Sequence, residues 1–129
     1  GTILRTADAL EVPVVLLDGC ADAYNPKTVR ASMGAVFRTQ PVRMTRAQAI
    51  AAYRQAHIPL LATAMSADAV DLRQAELSRA AVIIGSEGQG ICQELFEAAE
   101  GKIIIPMSPR CESLNAAVAA SIVLWQMKR

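Results

Sequence analysis

Gly85-Ser86-Glu87-Gly88-Gln89-Gly90 lies between an apolar run, Ala81-Val82-Ile83-Ile84, and a helical pattern, Ile91-Cys92-Gln93-Glu94-Leu95-Phe96-Glu97-Ala98. A strand, a glycine-rich turn and a helix are the parts of a phosphate-binding loop, so the glycine spacing decides what the turn can hold. The order here is G-x-x-G-x-G. A dinucleotide fingerprint needs G-x-G-x-x-G and an acidic residue at the end of the following strand, whereas the following strand here runs out as Ile105-Pro106-Met107. A Walker loop needs Lys and Ser or Thr after its last glycine, and this turn offers Ile91-Cys92. Glu87 would also repel a pyrophosphate. Taken alone, the turn reads equally well as a tight connection whose glycines only supply unusual backbone angles.

On either side of this turn, near-continuous apolar runs predict strands at Val12 to Leu17, Val42 to Met44, Ile58 to Ala62, Ala81 to Ile84 and Lys102 to Ile105. Helices lie between them. Asn25-Pro26 supplies an N-cap and a first-turn proline, and Thr45-Arg46-Ala47-Gln48 has the spacing of a capping box. Gly101 is placed to close the helix after the glycine turn, and a last helix runs from about Leu114 to Gln126. Alternation of strand and helix predicts an α/β fold with a largely parallel sheet covered by helices on both faces. The opening residues, Gly1 to Leu10, form a helical pattern with no strand feeding it, which reads as a domain cut at its amino end.

The chain has 129 residues, 53% of them hydrophobic and 19% charged, enough for one globular domain spanning 1–129. Its apolar runs are too short to cross a bilayer and no signal segment opens it, so the expectation is a soluble, cytoplasmic protein without a membrane partner. Cys20, Cys92 and Cys111 show no CxxC spacing, which predicts reduced thiols and no metal site. Net charge is only +1, although ten of the thirteen cations are arginines, so any affinity for nucleic acid depends on local clustering.

In an open parallel sheet, ligands bind beyond the carboxyl ends of the strands. Three such ends carry small or unusual residues: Ala62-Thr63-Ala64, Gly85-Ser86-Glu87-Gly88 and Ile105-Pro106-Met107. Backbone donors and acceptors with few charges suit a neutral purine and a zwitterionic tail, a description that S-adenosylmethionine fits.

At these residues the chain resembles the SpoU family, the TrmH-like branch of the SPOUT RNA methyltransferases. The likeness rests on GSEGQG, then Ile105-Pro106-Met107, then Ser113-Leu114-Asn115-Ala116-Ala117-Val118-Ala119. Gly1-Thr2-Ile3-Leu4-Arg5 is similar to the family's first motif, N-x-G-x-x-x-R, without its leading asparagine. Asp22 to Arg38 resembles the stretch that follows it. The resemblance implies a carboxyl-terminal deep trefoil knot, an exception to the rule that chains do not knot. It also implies a homodimer with an active site shared between subunits, S-adenosyl-L-methionine as cofactor, and transfer of its methyl group to a ribose 2′-hydroxyl of tRNA or rRNA. The first strand and any accessory RNA-binding domain are missing from the pattern.

The same resemblance assigns roles. Gly85, Gly88, Ile105, Met107 and Leu114 would hold the cofactor, largely through backbone, with Thr63 beside them. Arg5 is the leading catalytic candidate: a guanidinium is too weak an acid to act as a base, so it would grip a substrate phosphate that assists departure of the hydroxyl proton. Glu87, Ser113 and Asn115 would orient substrate or fix the loop, and Ser113 would otherwise cap the last helix. Arg30 and Arg110 join Arg5 as RNA contacts; Tyr24 and the arginines at 38, 43, 46 and 54 are weaker members of that surface. His57 lies outside every motif and is read as structural. Two other functions fit parts of the sequence: a noncatalytic RNA-binding or ribosome-assembly module with the same fold, and a dinucleotide-binding module.

Overall fold

The computed structural model describes residues 1–18, 22–64, 66–85, 90–108, 110 and 114–128. The elements run α1 (Thr2–Ala9), β1 (Val15–Leu17), α2 (Pro26–Ala31), α3 (Ala35–Thr39), β2 (Val42–Met44), α4 (Arg46–Gln55), β3 (Leu60–Thr63), β4 (Val70–Asp71), a 3₁₀ turn (Leu72–Gln74), β5 (Ala81–Ile83), α5 (Gln93–Ala98), β6 (Gly101–Ile104) and α6 (Ala116–Met127). Every strand pair among the described residues is parallel, in two hydrogen-bonded groups: β1 with β2, and a four-stranded sheet in the order β4-β6-β3-β5. The predicted α/β class and parallel pairing are what the chain adopts.

Alternation along the strands produces the two covered faces. On β3, Leu60 packs with Ile50 of α4 and Leu95 of α5, while Leu61 turns to the opposite face, toward Leu72, Ile103 and Val123 of α6. β5 follows the same rule, with Ala81 and Ile83 on the first face and Val82 on the second. β1 joins the two sheets: Leu16 packs with Leu4 of α1 and Val36 of α3, and Leu17 with the cluster of Ile50, Leu60 and Leu95.

The helix starts follow the predicted chemistry. The Asn25 side chain accepts from the Thr28 N–H at 2.9 Å, and Thr45 with Gln48 closes a reciprocal capping box. The helix ends depart from it. Gly101 is not a helix-closing residue but the first residue of β6, because α5 passes through an extended Ala99 straight into the strand. The four helices before α5 end instead on a non-glycine residue in the left-handed region: Glu11 at φ 58°, Met33 at φ 54°, Gln40 at φ 48° and His57 at φ 57°. Gln40 makes a single bond to the Val36 carbonyl, and Glu11, Met33 and His57 each make the paired bonds of a Schellman motif. For α4 these are His57 N–H to Arg54 carbonyl at 3.1 Å and Ile58 N–H to Tyr53 carbonyl at 2.9 Å.

Those caps also explain the shortened strands. Val12 N–H is spent on the Ala7 carbonyl and Ile58 N–H on Tyr53, so β1 and β3 start three and two residues later than the apolar runs suggest. β4 and the short α3 carry too few residues to show a period, and the sequence patterns miss both.

Candidate active site

Parallel register brings the three predicted strand ends together. β3 is the central strand of the three: Ala62 lies beside Ile83 of β5, and Thr63 beside Ile103 of β6. Gly85 and Ile105 therefore leave the sheet on either side of Thr63, at one carboxyl edge. None of the described residues there, Thr63, Ala64, Ile84, Gly85 and Ile105 to Met107, carries a charge.

Gly85 is required for a reason other than backbone angle. A Cβ on it would lie 2.5 Å from the carbonyl carbon of Gly90 and 2.8 Å from the Ile91 nitrogen, so two stretches of loop backbone meet where no side chain fits. Among the described residues of the turn, only Gly90 has a positive φ, 69°. Thr63 uses its hydroxyl to donate to the Ile83 carbonyl at 3.1 Å, which stitches β3 to β5 directly beneath the glycine turn. Met107, two residues past Ile105, is half-buried, as is Leu114 just before α6.

Asn115 caps α6: its Oδ1 accepts from the N–H groups of Ala117 at 2.9 Å and Val118 at 3.3 Å. The helix accordingly begins at Ala116, two residues later than expected, and the amide nitrogen of Asn115 is the part of that side chain left to meet a ligand. Glu87, Gly88 and Ser113 lie outside the described residues. Arg5 is exposed on α1, and among the described residues nothing pairs with its guanidinium or ties it to the strand ends. α1 packs instead on α3 and α6, with the Ser121 and Thr6 hydroxyls 3.3 Å apart. Arg30 is exposed near the end of α2; Arg110 is exposed and folds back on Ser108, its N–H donating to Oγ at 3.3 Å.

Arg46 has a role that its place among scattered arginines does not reveal. Its backbone N–H donates to Asp18 at 3.0 Å, and its guanidinium lies 3.4 Å from that carboxylate and 4.0 Å from Glu94. The thiol of Cys92, the residue preceding α5, is a further neighbour of that guanidinium. The Cys92 thiol is held below the usual thiol range, first by the Leu95 N–H and then by Arg46. Arg46 thus ties the carboxyl ends of β1 and β2 to the exit of the glycine turn. Its signal in the sequence is an Asp and an Arg just past the ends of two strands that pair. Arg38 is likewise engaged, 2.9 Å from Asp8. A groove of about 650 Å³ beside the end of α6, lined by Arg73, Leu77, Ser78, Met127 and Lys128 among others, shares no residue with the motif positions.

The carboxyl edge of a parallel sheet, its described residues without charge and closed by a tight glycine approach, is where an open α/β fold takes its ligand. Residues 1–125 match the family described as the SpoU rRNA Methylase family, and the chain belongs to it. It is 33% identical over 129 residues to the 23S rRNA (guanosine(2553)-2′-O)-methyltransferase RlmP of Bacillus subtilis (strain 168), covering 99% of this chain and 52% of that protein. Among solved structures it is similar to an AdoMet-bound rRNA methyltransferase from Sinorhizobium meliloti, with TM-score 0.88 and 33% identity over 99% of this chain and 50% of that one. It is also similar to the SpoU methyltransferase AviRb from Streptomyces viridochromogenes in complex with AdoMet, with TM-score 0.87 and 29% identity over 99% and 53%. The chain spans about half the length of these relatives.

Proposed function

We propose that this chain is the catalytic part of an S-adenosylmethionine-dependent methyltransferase acting on a ribose 2′-hydroxyl of rRNA or tRNA in the cytoplasm. The observation that carries this reading is the convergence of Thr63, Gly85 and Ile105 at an edge whose described residues carry no charge, closed by the contact of Gly85 with Gly90 and Ile91. Such an edge suits the adenine and methionine portions of the cofactor and disfavours a phosphate chain.

Gly85, Gly88, Ile105, Met107 and Leu114 would hold the cofactor, with Thr63 fixing the spacing of the strands beneath it. The bound cofactor supplies an electrophilic methyl group. The protein's task is then to place a weak nucleophile in line with it and to let a proton go. Arg5, always charged, grips the phosphate next to the target ribose, and that phosphate assists the proton's departure. Arg30 and Arg110 contact flanking phosphates. Glu87, Ser113 and the free amide of Asn115 orient the substrate.

A homodimer completes the site. On α6, Ala120, Val123 and Leu124 are buried, yet Val118, Ile122 and Trp125 stay 50%, 39% and 59% exposed. They recur at i, i+4 and i+7, one apolar stripe that a single chain leaves uncovered and a second copy would cover. α1 packs on α6, so pairing through this face brings Arg5 of one copy toward the strand ends of the other. The carboxyl-terminal trefoil knot belongs to the same proposal.

Calorimetric titration with S-adenosylmethionine, its demethylated product and NAD tests the pocket, and nucleoside mass spectrometry of treated RNA tests the chemistry. Binding of S-adenosylmethionine with a new 2′-O-methyl nucleoside is the expected result. Preference for NAD overturns the pocket assignment. Cofactor binding that no RNA converts into methylation leaves a noncatalytic RNA-binding module.

A further inference from the structure

Tyr24, Met33 and Phe37 are large apolar residues within one short stretch, and they remain 52%, 64% and 58% exposed. The rings of Tyr24 and Phe37 stand 6.0 Å apart, tilted by 40°, so each has a face that the other does not cover. The segment beneath them is firmly held. Ser32 and Val36 are fully buried, with the Ser32 hydroxyl donating to the Val29 carbonyl at 2.9 Å. Met33 projects from the left-handed turn between α2 and α3, a conformation that a bulky side chain adopts at a cost.

Charge identifies the occupant. Between residues 22 and 43 there are four cations, Lys27, Arg30, Arg38 and Arg43, and one carboxylate, Asp22. Arg38 is partly neutralised by Asp8, whereas Arg30 is exposed and has no ion pair among the described residues. A polyanion carrying flat apolar groups matches this combination, and single-stranded RNA is such a polymer. The patch also lies next to the catalytic candidate. Gly1, one helical turn before Arg5, packs so tightly on α2 that a Cβ there would fall 2.5 Å from the Cβ of Ala31, the neighbour of Arg30.

We infer that Tyr24 and Phe37, with Met33 at their side, form a stacking platform for an unpaired base flanking the methylated nucleotide, while Arg30 holds an adjoining phosphate. The inference rests on the proposed action on RNA and adds to it that the substrate is read in single-stranded form, since bases stacked within a helix cannot reach such rings.

The test uses a fluorescein-labelled 12-nucleotide RNA of mixed sequence, alone and as a duplex with its complement, in anisotropy titrations. S-adenosylmethionine affinity and sedimentation are measured on the same proteins. The Tyr24→Ala/Phe37→Ala double variant should bind the single strand about ten- to a hundredfold more weakly. Its duplex affinity and S-adenosylmethionine affinity should not change. Tyr24→Phe should bind as the unsubstituted chain does, and Tyr24→Leu as Tyr24→Ala. Full binding by the leucine variant, or by the double variant, overturns the platform. So does a double variant that sediments as a monomer where the unsubstituted chain is a dimer, because the patch is then a contact between copies. An unsubstituted chain that binds S-adenosylmethionine but no single strand overturns the platform and leaves the cofactor site standing. Failure to bind S-adenosylmethionine, with single-strand binding lost in the double variant, upholds the platform and removes the proposed reaction.

Discussion

The carboxyl edge of β3, β5 and β6 and the segment from residue 22 to residue 43 meet ligands in opposite ways. The first offers backbone and uncharged side chains, with no charge at Thr63, Ala64, Ile84, Gly85 or Ile105 to Met107. The second offers long side chains, four of them cationic and three others large, apolar and exposed. Backbone recognition tolerates little change in atomic position, because there is no flexible group to readjust. Side-chain recognition loses one contact at a time. Substitutions at the two places should therefore differ in kind as well as in size.

The largest effect is expected at Gly85. Gly85→Val must push the turn away from Gly90 and Ile91, a local overpacking that costs about 1–3 kcal/mol. S-adenosylmethionine affinity in calorimetry should fall about 100-fold or more, with the circular dichroism spectrum retained. Unchanged affinity would show that the turn at Gly85 does not hold the cofactor. Arg5→Ala should do the reverse. Methyl transfer should drop by about 10²–10⁴-fold, while cofactor affinity and, for so exposed a residue, stability stay close to their original values. Equal loss of cofactor binding and transfer would make Arg5 a structural residue. In mixed dimers, an Arg5→Ala subunit paired with a Gly85→Val subunit should recover one working site, since each supplies what the other lacks.

The meeting of the strand ends is legible in the sequence because it is encoded locally: Gly85 and Ile105 sit in short motifs at the ends of apolar runs, and parallel pairing follows from alternating strands and helices. What lay hidden depends on contacts distant in sequence. Nothing in Arg46 alone tells that it will reach Asp18, Glu94 and Cys92, and nothing in Arg38 that it will meet Asp8. Gly101 was misread for a related reason. Glycine after a helix is a common cap, but here Glu11, Met33, Gln40 and His57 occupy the left-handed caps, and Gly101 lies beside Leu61 in the sheet.

A smaller effect sharpens the boundary between the two regions. Arg46 links Asp18 at the end of β1 to Glu94 and Cys92 at the start of α5, so Arg46→Ala should slow alkylation of Cys92 by iodoacetamide at pH 7 several-fold, because thiolate is the reacting form. The Leu95 N–H, the larger of the two influences, remains and should keep Cys92 more reactive than a free thiol. Peptide mass spectrometry separates Cys92 from Cys20 and Cys111. Stability should change by less than about 1 kcal/mol, the ordinary scale of an exposed ion pair. An alkylation rate indifferent to Arg46 would show that the bridge does not persist in solution.

The smallest effect comes from two caps of one geometry in different settings. Met33 and His57 both close a helix in a Schellman motif, at φ 54° and 57°, and in both the following N–H reaches back to the carbonyl five residues earlier. A non-glycine residue there carries a cost of about 1–2 kcal/mol. Glycine removes it but gives back about 0.4–1 kcal/mol through the greater freedom of the unfolded chain. Each single substitution to glycine should thus stabilise the protein by about 0.5–1 kcal/mol, a rise of about 2–4 °C in melting temperature. The two should part company on RNA. His57→Gly gains stability with single-strand affinity unchanged, because His57 only ends α4. Met33→Gly gains a similar amount and weakens single-strand binding, because it removes the exposed thioether that the platform proposal places with Tyr24 and Phe37. Calorimetric melting and anisotropy on the same two proteins decide it. If Met33→Gly gains stability and loses no affinity, Met33 is only a strained cap and the platform reduces to its two rings.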